Sequence, residues 1–201
     1  RRVDEVCYPA DPRVLLGTVA QAGAEHVGRA VTIAAAAFPA WAARPVQERA
    51  AVLRRAAEML DARRFEFAAT MVFESAKPWR EADGDVTEAV DYLRYYAGQA
   101  EALMGEVHLA EPPGESNEYR REPRGVAAII APWNFPLAIL TGMTAAALVT
   151  GNTAVLKPAG PSPIVAYKLV ELLRHAGTPP EAVQFLPGSG GTVGQGLVDH
   201  P

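Results

Sequence analysis

The stretch that decides the fold is Gly125-Val126-Ala127-Ala128-Ile129-Ile130-Ala131-Pro132-Trp133-Asn134-Phe135-Pro136. Its first seven residues are apolar on both alternating faces, the pattern of a central parallel strand covered by helices on each side. No charge interrupts the chain from Gly125 to Leu156, a run long enough for a membrane-spanning helix. Pro132, Asn134 and Pro136 fall inside that run, however, and a proline in a helix interior costs about 3 kcal/mol. A buried strand, a turn and a buried helix over residues 137–149 are therefore the better reading, and no membrane partner is expected.

The same alternation continues downstream. Residues 153–156 read as a second strand, 163–175 as a helix, 183–186 as a third strand and 191–199 as a further helix. This order implies right-handed crossovers and an α/β fold containing the first half of a doubly wound parallel sheet.

Upstream the texture is helical. Residues 3–19 carry Pro9, Asp11-Pro12 and Gly17 among short apolar runs and read as irregular edge strands joined by a turn. Val27, Ala30, Val31, Ala34 and Phe38 mark a first helix; Val46, Ala50, Leu53, Ala57 and Leu60 mark a second, with Pro45 at its start. Phe65, Ala69, Val72 and Phe73 suggest a third. Val86, Val90, Leu93, Ala97, Ala100 and Leu103 form the stripe of a fourth, with Asp85, Glu88, Asp91 and Arg94 off it. Residues 105–116 read as a long loop, and 118–122 as an exposed, charged strand or arm.

Composition narrows the function classes. A net charge of −4 offers no footprint for nucleic acid. The single cysteine, Cys7, excludes an internal disulfide and a cysteine-based metal cluster, and the four histidines, His26, His108, His175 and His200, lack metal-ligand spacing. No metal is expected. Arg1-Arg2-Val3-Asp4-Glu5 has no apolar signal core, so a cytoplasmic location is expected. Nothing basic flanks Cys7, which reads as an inert structural thiol.

Ligands of open parallel sheets bind beyond the carboxyl ends of the strands. Those ends are Pro132-Trp133-Asn134-Phe135-Pro136, Lys157-Pro158 and Pro187-Gly188-Ser189-Gly190-Gly191. An amide, a cation and a glycine-rich turn on one rim suit a phosphate-bearing cofactor. Two readings of Asn134 stand: a helix N-cap followed by Pro136 in the first turn, or a ligand-facing amide. Lys157 is either a solvated charge or a ligand contact. In Gly188-x-Gly190-x-x-x-Gly194 the fingerprint's third glycine is replaced by Val193, so this is no GxGxxG and is weak evidence alone.

Ala131-Pro132-Trp133-Asn134-Phe135-Pro136-Leu137, Gly151-Asn152-Thr153, Lys157-Pro158-Ala159 and Pro187-Gly188 resemble, in order and spacing over residues 20–201, the successive motifs of the aldehyde dehydrogenase superfamily. The resemblance implies a cofactor-binding domain, a catalytic domain and an oligomerisation arm. On that pattern residues 1–116 supply edge strands and the helical segment of the cofactor-binding domain. Residues 117–124 supply an arm strand, 125–201 an incomplete Rossmann-like unit, and the catalytic domain is absent.

The resemblance also implies site roles. Asn134 donates its amide to the oxyanion formed when a thiolate attacks an aldehyde. Lys157 holds the adenosine ribose hydroxyls, Trp133 with the backbone of Ile130 and Pro132 lines the cofactor groove, and Gly190 and Gly194 admit the adenosine end. The family often carries Glu three residues after the Lys. Here Gly160 stands there, removing a carboxylate that would repel a 2′-phosphate, so NAD or NADP is expected. The family's nucleophilic Cys and basic Glu fall outside this stretch.

Within the superfamily, Asp91-Tyr92-Leu93-Arg94-Tyr95-Tyr96-Ala97, residues 112–119, Thr141-Gly142-Met143 and Leu197-Val198-Asp199-His200-Pro201 are similar to the glutamate-semialdehyde (Δ1-pyrroline-5-carboxylate) dehydrogenases. The expected activity is NAD(P)-dependent oxidation of that aldehyde in proline breakdown, by a homo-oligomer when full length. The alternatives are a succinate-semialdehyde type, or a non-catalytic cofactor-binding or interaction module.

Overall fold

The computed structural model describes residues 2–105, 107–110 and 112–201. A hairpin opens the chain: β1 (Val3–Tyr8) pairs antiparallel with β2 (Asp11–Ala20), with register shifts on either side of Cys7. Four helices follow, α1 (Ala24–Ala42), α2 (Val46–Ala62), α3 (Arg64–Ser75) and α4 (Trp79–Leu103). Then come the short strands β3 (Val107–His108) and β4 (Glu118–Tyr119), β5 (Val126–Ile130), α5 (Ala138–Val149), β6 (Thr153–Lys157), α6 (Pro163–His175) and β7 (Val183–Phe185). A π-helical turn at Gly190–Gly194 leads into the short helix α7 (Gln195–Val198).

The sheet order β5-β6-β7 is parallel throughout, so both crossovers step in one direction. Side chains alternate across β6. Ala154 and Leu156 join the core built by α2 to α6, whereas Val155 joins Val27, Ala34, Leu186, Val193 and Leu197 on the face covered by α1 and α7. Helices thus cover both faces, as the α/β reading requires.

Several expectations are corrected. β5 reads as a central strand, but among the described residues it pairs only with β6, and Ala128 and Ile130 are exposed beside the buried Ile129. The loop expected at 105–116 contains β3, which pairs with β4, and the strand expected at 118–122 is two residues long. The helix expected at 191–199 is a π-turn plus one α-turn. In α3 the buried face is Phe67, Ala68, Met71 and Glu74, while Phe65 and Phe73 point outward. Phe65 stacks on Trp79 instead, and Phe73 meets Tyr8 edge-on. α4 begins seven residues before its marked stripe, and Asp85, expected on the solvent side, is buried.

Buried charges explain that last difference. Neither α5 nor α6 has a side-chain cap of its own at the amino end. Asp85 Oδ1 accepts from the Ala138 amide at 2.6 Å, opening α5. Glu74 accepts from the amides of Ile164 and Val165, opening α6. At the carboxyl ends, Trp41 Nε1 and Arg49 Nε donate to the Leu148 and Val149 carbonyls at 3.0 and 2.9 Å, and Arg55 Nε donates to Ala176 at 2.9 Å. Acid therefore sits at both amino ends and base at both carboxyl ends, as the peptide dipoles favour. The N-terminal helices hold both crossover helices of the sheet.

Candidate active site

Parallel pairing brings the strand ends to one rim. Ile130 is the register partner of Lys157, and the Ala131 amide donates to the Lys157 carbonyl at 3.2 Å. The loop that begins at Ala131 is therefore anchored beside Lys157 before it turns into Pro132-Trp133-Asn134. Gly151-Asn152-Thr153 fixes the other end of the strands. Asn152 Oδ1 accepts from the Arg124 and Gly125 amides at 2.6 and 3.0 Å, and Thr153 Oγ1 donates to the Ala34 carbonyl at 3.0 Å. That motif is scaffold.

Lys157 closes β6 and is 5% exposed. Its Nζ donates to the Pro158 carbonyl at 2.9 Å, and burial pushes its pKa below the usual lysine range. A Cβ at position 194 would lie 3.4 Å from Lys157 Cε, so Gly194 packs directly on the lysine stem. The two expected contacts are thus brought together. A Cβ at Gly188 would come within 2.4 Å of Val193 Cγ2 and 3.1 Å of the Ala22 carbonyl, so the turn closes only with glycine there. At Gly160 and Gly190 a Cβ would meet nothing within 4 Å, leaving open space on the rim.

Two cavities open among the expected residues and take in Gly160, Trp133 and Asn134 but not Lys157 or Gly194. One, of about 680 Å³, is lined by Gly160, Gly188, Ser189 and Thr192 together with Arg2 and His26 and the carboxylates Asp4, Glu5 and Glu25. The other, of about 260 Å³, is lined by Trp133, Asn134, Phe135 and, from the α3–α4 junction, Lys77. Trp133 is 59% exposed and Ile130 41%, so an indole face and an isoleucine side chain are free for a ligand, with the half-buried Pro132 between them. Asn134 is exposed and does not cap α5; the N-cap position is Leu137 and the cap is supplied by Asp85. The helix-cap reading of Asn134 is ruled out by that geometry.

Sequence reasoning missed Lys77. Its Nζ lies 2.6 Å from Asp85 Oδ2, donates to the Asn134 carbonyl at 2.9 Å and sits 4.1 Å from the Phe135 ring centroid. The available signal was the spacing of Ala82, Asp85, Val86, Ala89 and Leu93, which places an acid in a slot of the apolar stripe. Burial pushes the Asp85 carboxyl up, and the hydrogen bonds from Lys77 and the Ala138 amide oppose it. Among the described residues no group of His, Cys, Asp and Glu could hold a metal ion, and no helix is long and apolar enough to cross a membrane.

The sequence matches the aldehyde dehydrogenase family over residues 2–201. The chain belongs to that family. It is 47% identical over 193 residues to 1-pyrroline-5-carboxylate dehydrogenase of Anoxybacillus flavithermus, covering 96% of this chain and 38% of the relative. It is 48% identical over the same length to 1-pyrroline-5-carboxylate dehydrogenase 2 of Bacillus subtilis, with the same coverage. Among solved structures, 1-pyrroline-5-carboxylate dehydrogenase from Thermus with bound NAD superposes with a TM-score of 0.96 at 40% identity, covering 100% of this chain and 39% of that one. Proline utilization A from Bdellovibrio bacteriovorus superposes with a TM-score of 0.95 at 41% identity, covering 99% of this chain and 21% of that one. This aldehyde dehydrogenase chain thus spans well under half the length of the relatives it matches.

Proposed function

We propose that these residues form the cofactor side of an NAD(P)-dependent dehydrogenase that oxidises glutamate semialdehyde to glutamate in proline breakdown. The observation that carries the reading is the 48% identity to a 1-pyrroline-5-carboxylate dehydrogenase, with Asn134 and Lys157 on the same rim. The residues present fit a dinucleotide. Lys157 is a buried cation whose Nζ, among the described residues, donates to the neighbouring Pro158 carbonyl, and Gly160 leaves space for a phosphorylated or free ribose. Gly190 and Gly194 border the same turn, and Ile130, Pro132 and Trp133 supply an apolar groove wall. The nicotinamide, when bound, supplies the hydride acceptor. Asn134 donates its side-chain NH₂ to the oxygen of the aldehyde carbon as that oxygen gains charge, from a position fixed before the reaction.

Cys7 lies on β1 and lines neither cavity, so the proposal gives it no part in the chemistry; the thiolate and base are assigned to the part of the relatives' length that this chain does not span. Oligomerisation through the arm at 117–124 and a cytoplasmic location belong to the same proposal, as do the boundaries 1–116 and 125–201. The test is a substrate comparison in the enzyme carrying this segment. Glutamate semialdehyde should outperform succinate semialdehyde in kcat/KM, with either NAD⁺ or NADP⁺ as acceptor. A preference for succinate semialdehyde would reject the substrate assignment while keeping the family.

A further inference from the structure

The turn between β5 and α5 has no cap of its own, yet it must present Asn134 in a fixed direction. One carboxylate and one ammonium span it. Asp85 Oδ1 takes the Ala138 amide at 2.6 Å, and Asp85 Oδ2 takes Lys77 Nζ at 2.6 Å. The same Nζ returns to the Asn134 carbonyl at 2.9 Å and covers the Phe135 ring. The pair therefore holds the turn at both ends, residues 134 and 138. It does so from inside the protein: the Lys77 side chain is 9% exposed and that of Asp85 0%.

We infer that Lys77, held by Asp85, is a positioning residue for the Asn134 amide. The inference rests on the reading of Asn134 as the oxyanion donor. A simpler role for Lys77 is to neutralise a buried carboxylate. That need ends at the Asp85 contact, whereas the Nζ also binds the backbone of the residue carrying the amide and packs on its neighbour. A charge-assisted bond to the Asn134 carbonyl fixes the peptide from which the side chain projects. Without it the amide loses its preset direction, and a displacement of about 1 Å at a reacting group can cost about a hundredfold in rate.

The experiment is a double-mutant cycle in the enzyme that carries this segment, with steady-state kinetics and thermal melting read together. Lys77→Met should lower kcat about 10- to 100-fold while leaving the cofactor KM within about threefold, because the loss falls on the transition state. Lys77→Arg keeps a cation against Asp85 and should recover part of the lost turnover. On an Asn134→Ala background, Lys77→Met should cost little further turnover, since both changes remove one device. Independent, multiplicative losses in the double variant would show a merely structural Lys77 and overturn the inference. Should Lys77→Met fail to fold, the cycle is run with Lys77→Arg: non-additive losses support the inference, and multiplicative losses, or full turnover for Lys77→Arg alongside a slowed Asn134→Ala, overturn it. Unchanged kcat in Asn134→Ala alone would overturn the oxyanion reading itself, and this inference with it.

Discussion

Glu74 Oε2 lies 2.9 Å from the amide nitrogen of Val165, so a residue at the end of α3 closes the amino end of α6. Burial pushes this carboxyl up to about 7, against the two amide hydrogen bonds that favour its charge. The folded-state value is raised above the unfolded one, so the folded protein binds more protons between about pH 4.5 and 7, and stability falls as pH rises through that window. The full swing is on the order of 3 kcal/mol. Glu74→Gln should flatten the dependence in melts taken from pH 5 to 8. Glu74→Ala, which strands two buried amides, should lose roughly 2–4 kcal/mol at pH 5 and less as pH rises through that window.

Ala76, directly before Lys77, has φ 52° and ψ 31°, the left-handed region that a Cβ resists. Ala76→Gly should stabilise the fold by about 1 kcal/mol, the relief of strain exceeding the added freedom of the unfolded chain. A shift of the urea midpoint upward at unchanged slope is the expected signature. No shift would mean that surrounding contacts already absorb the strain.

Asn134→Ala should reduce kcat about 10²- to 10³-fold in the enzyme carrying this segment, with cofactor affinity nearly intact. Because Asp85 rather than Asn134 caps α5, the melting temperature should stay within the range of an ordinary surface substitution. Loss of fold and cofactor binding together would contradict the cap assignment.

Gly160 faces open space with no carboxylate in the position where the family often has one. NADP⁺ should bind within about a hundredfold of NAD⁺, a gap below about 3 kcal/mol. Gly160→Glu, for which the space exists, should widen the preference for NAD⁺ by repelling the 2′-phosphate. Titration of both cofactors onto the two proteins decides it.

The 201 residues alone should show no aldehyde oxidation and weak cofactor binding. Ala128 and Ile130 leave β5 apolar and exposed along an unpaired side among the described residues, so the isolated polypeptide should self-associate. Solution mass and a glutamate-semialdehyde assay test both points. Robust turnover abolished by Cys7→Ala would reverse the assignment of Cys7 as inert.

The strand-helix alternation from Val126 onward was legible because each strand is an apolar run ended by proline or glycine, and the rim follows from parallel pairing alone. Lys157 and Gly194 stand in separate motifs of the sequence and touch in the fold. Other features were hidden for definite reasons. In α3 two of the three phenylalanines, Phe65 and Phe73, are not buried, since Phe67, Ala68 and Met71 have the phase that meets α4 and α6. Asp85, Glu74, Arg49 and Arg55 look like surface charges in any local window. The helix ends they close lie 53 to 121 residues away, beyond the reach of helical periodicity. Lys77 escaped notice for the same reason, because its role exists only once α4 lies against the β5–α5 turn.

Those distant caps also set an order of events during synthesis. Each clamp leaves the ribosome before the helix end it closes, by 53 residues for Asp85 and by 121 for Arg55. At roughly 5–20 residues per second, the wait is on the order of 3 to 20 seconds. Throughout that interval the helix ends that these two acids and two arginines close have not been made, although Asp85 already has Lys77 and Arg49 the carbonyls of Ala42 and Arg44. The clamps therefore add their full stabilisation only once α5 and α6 have emerged.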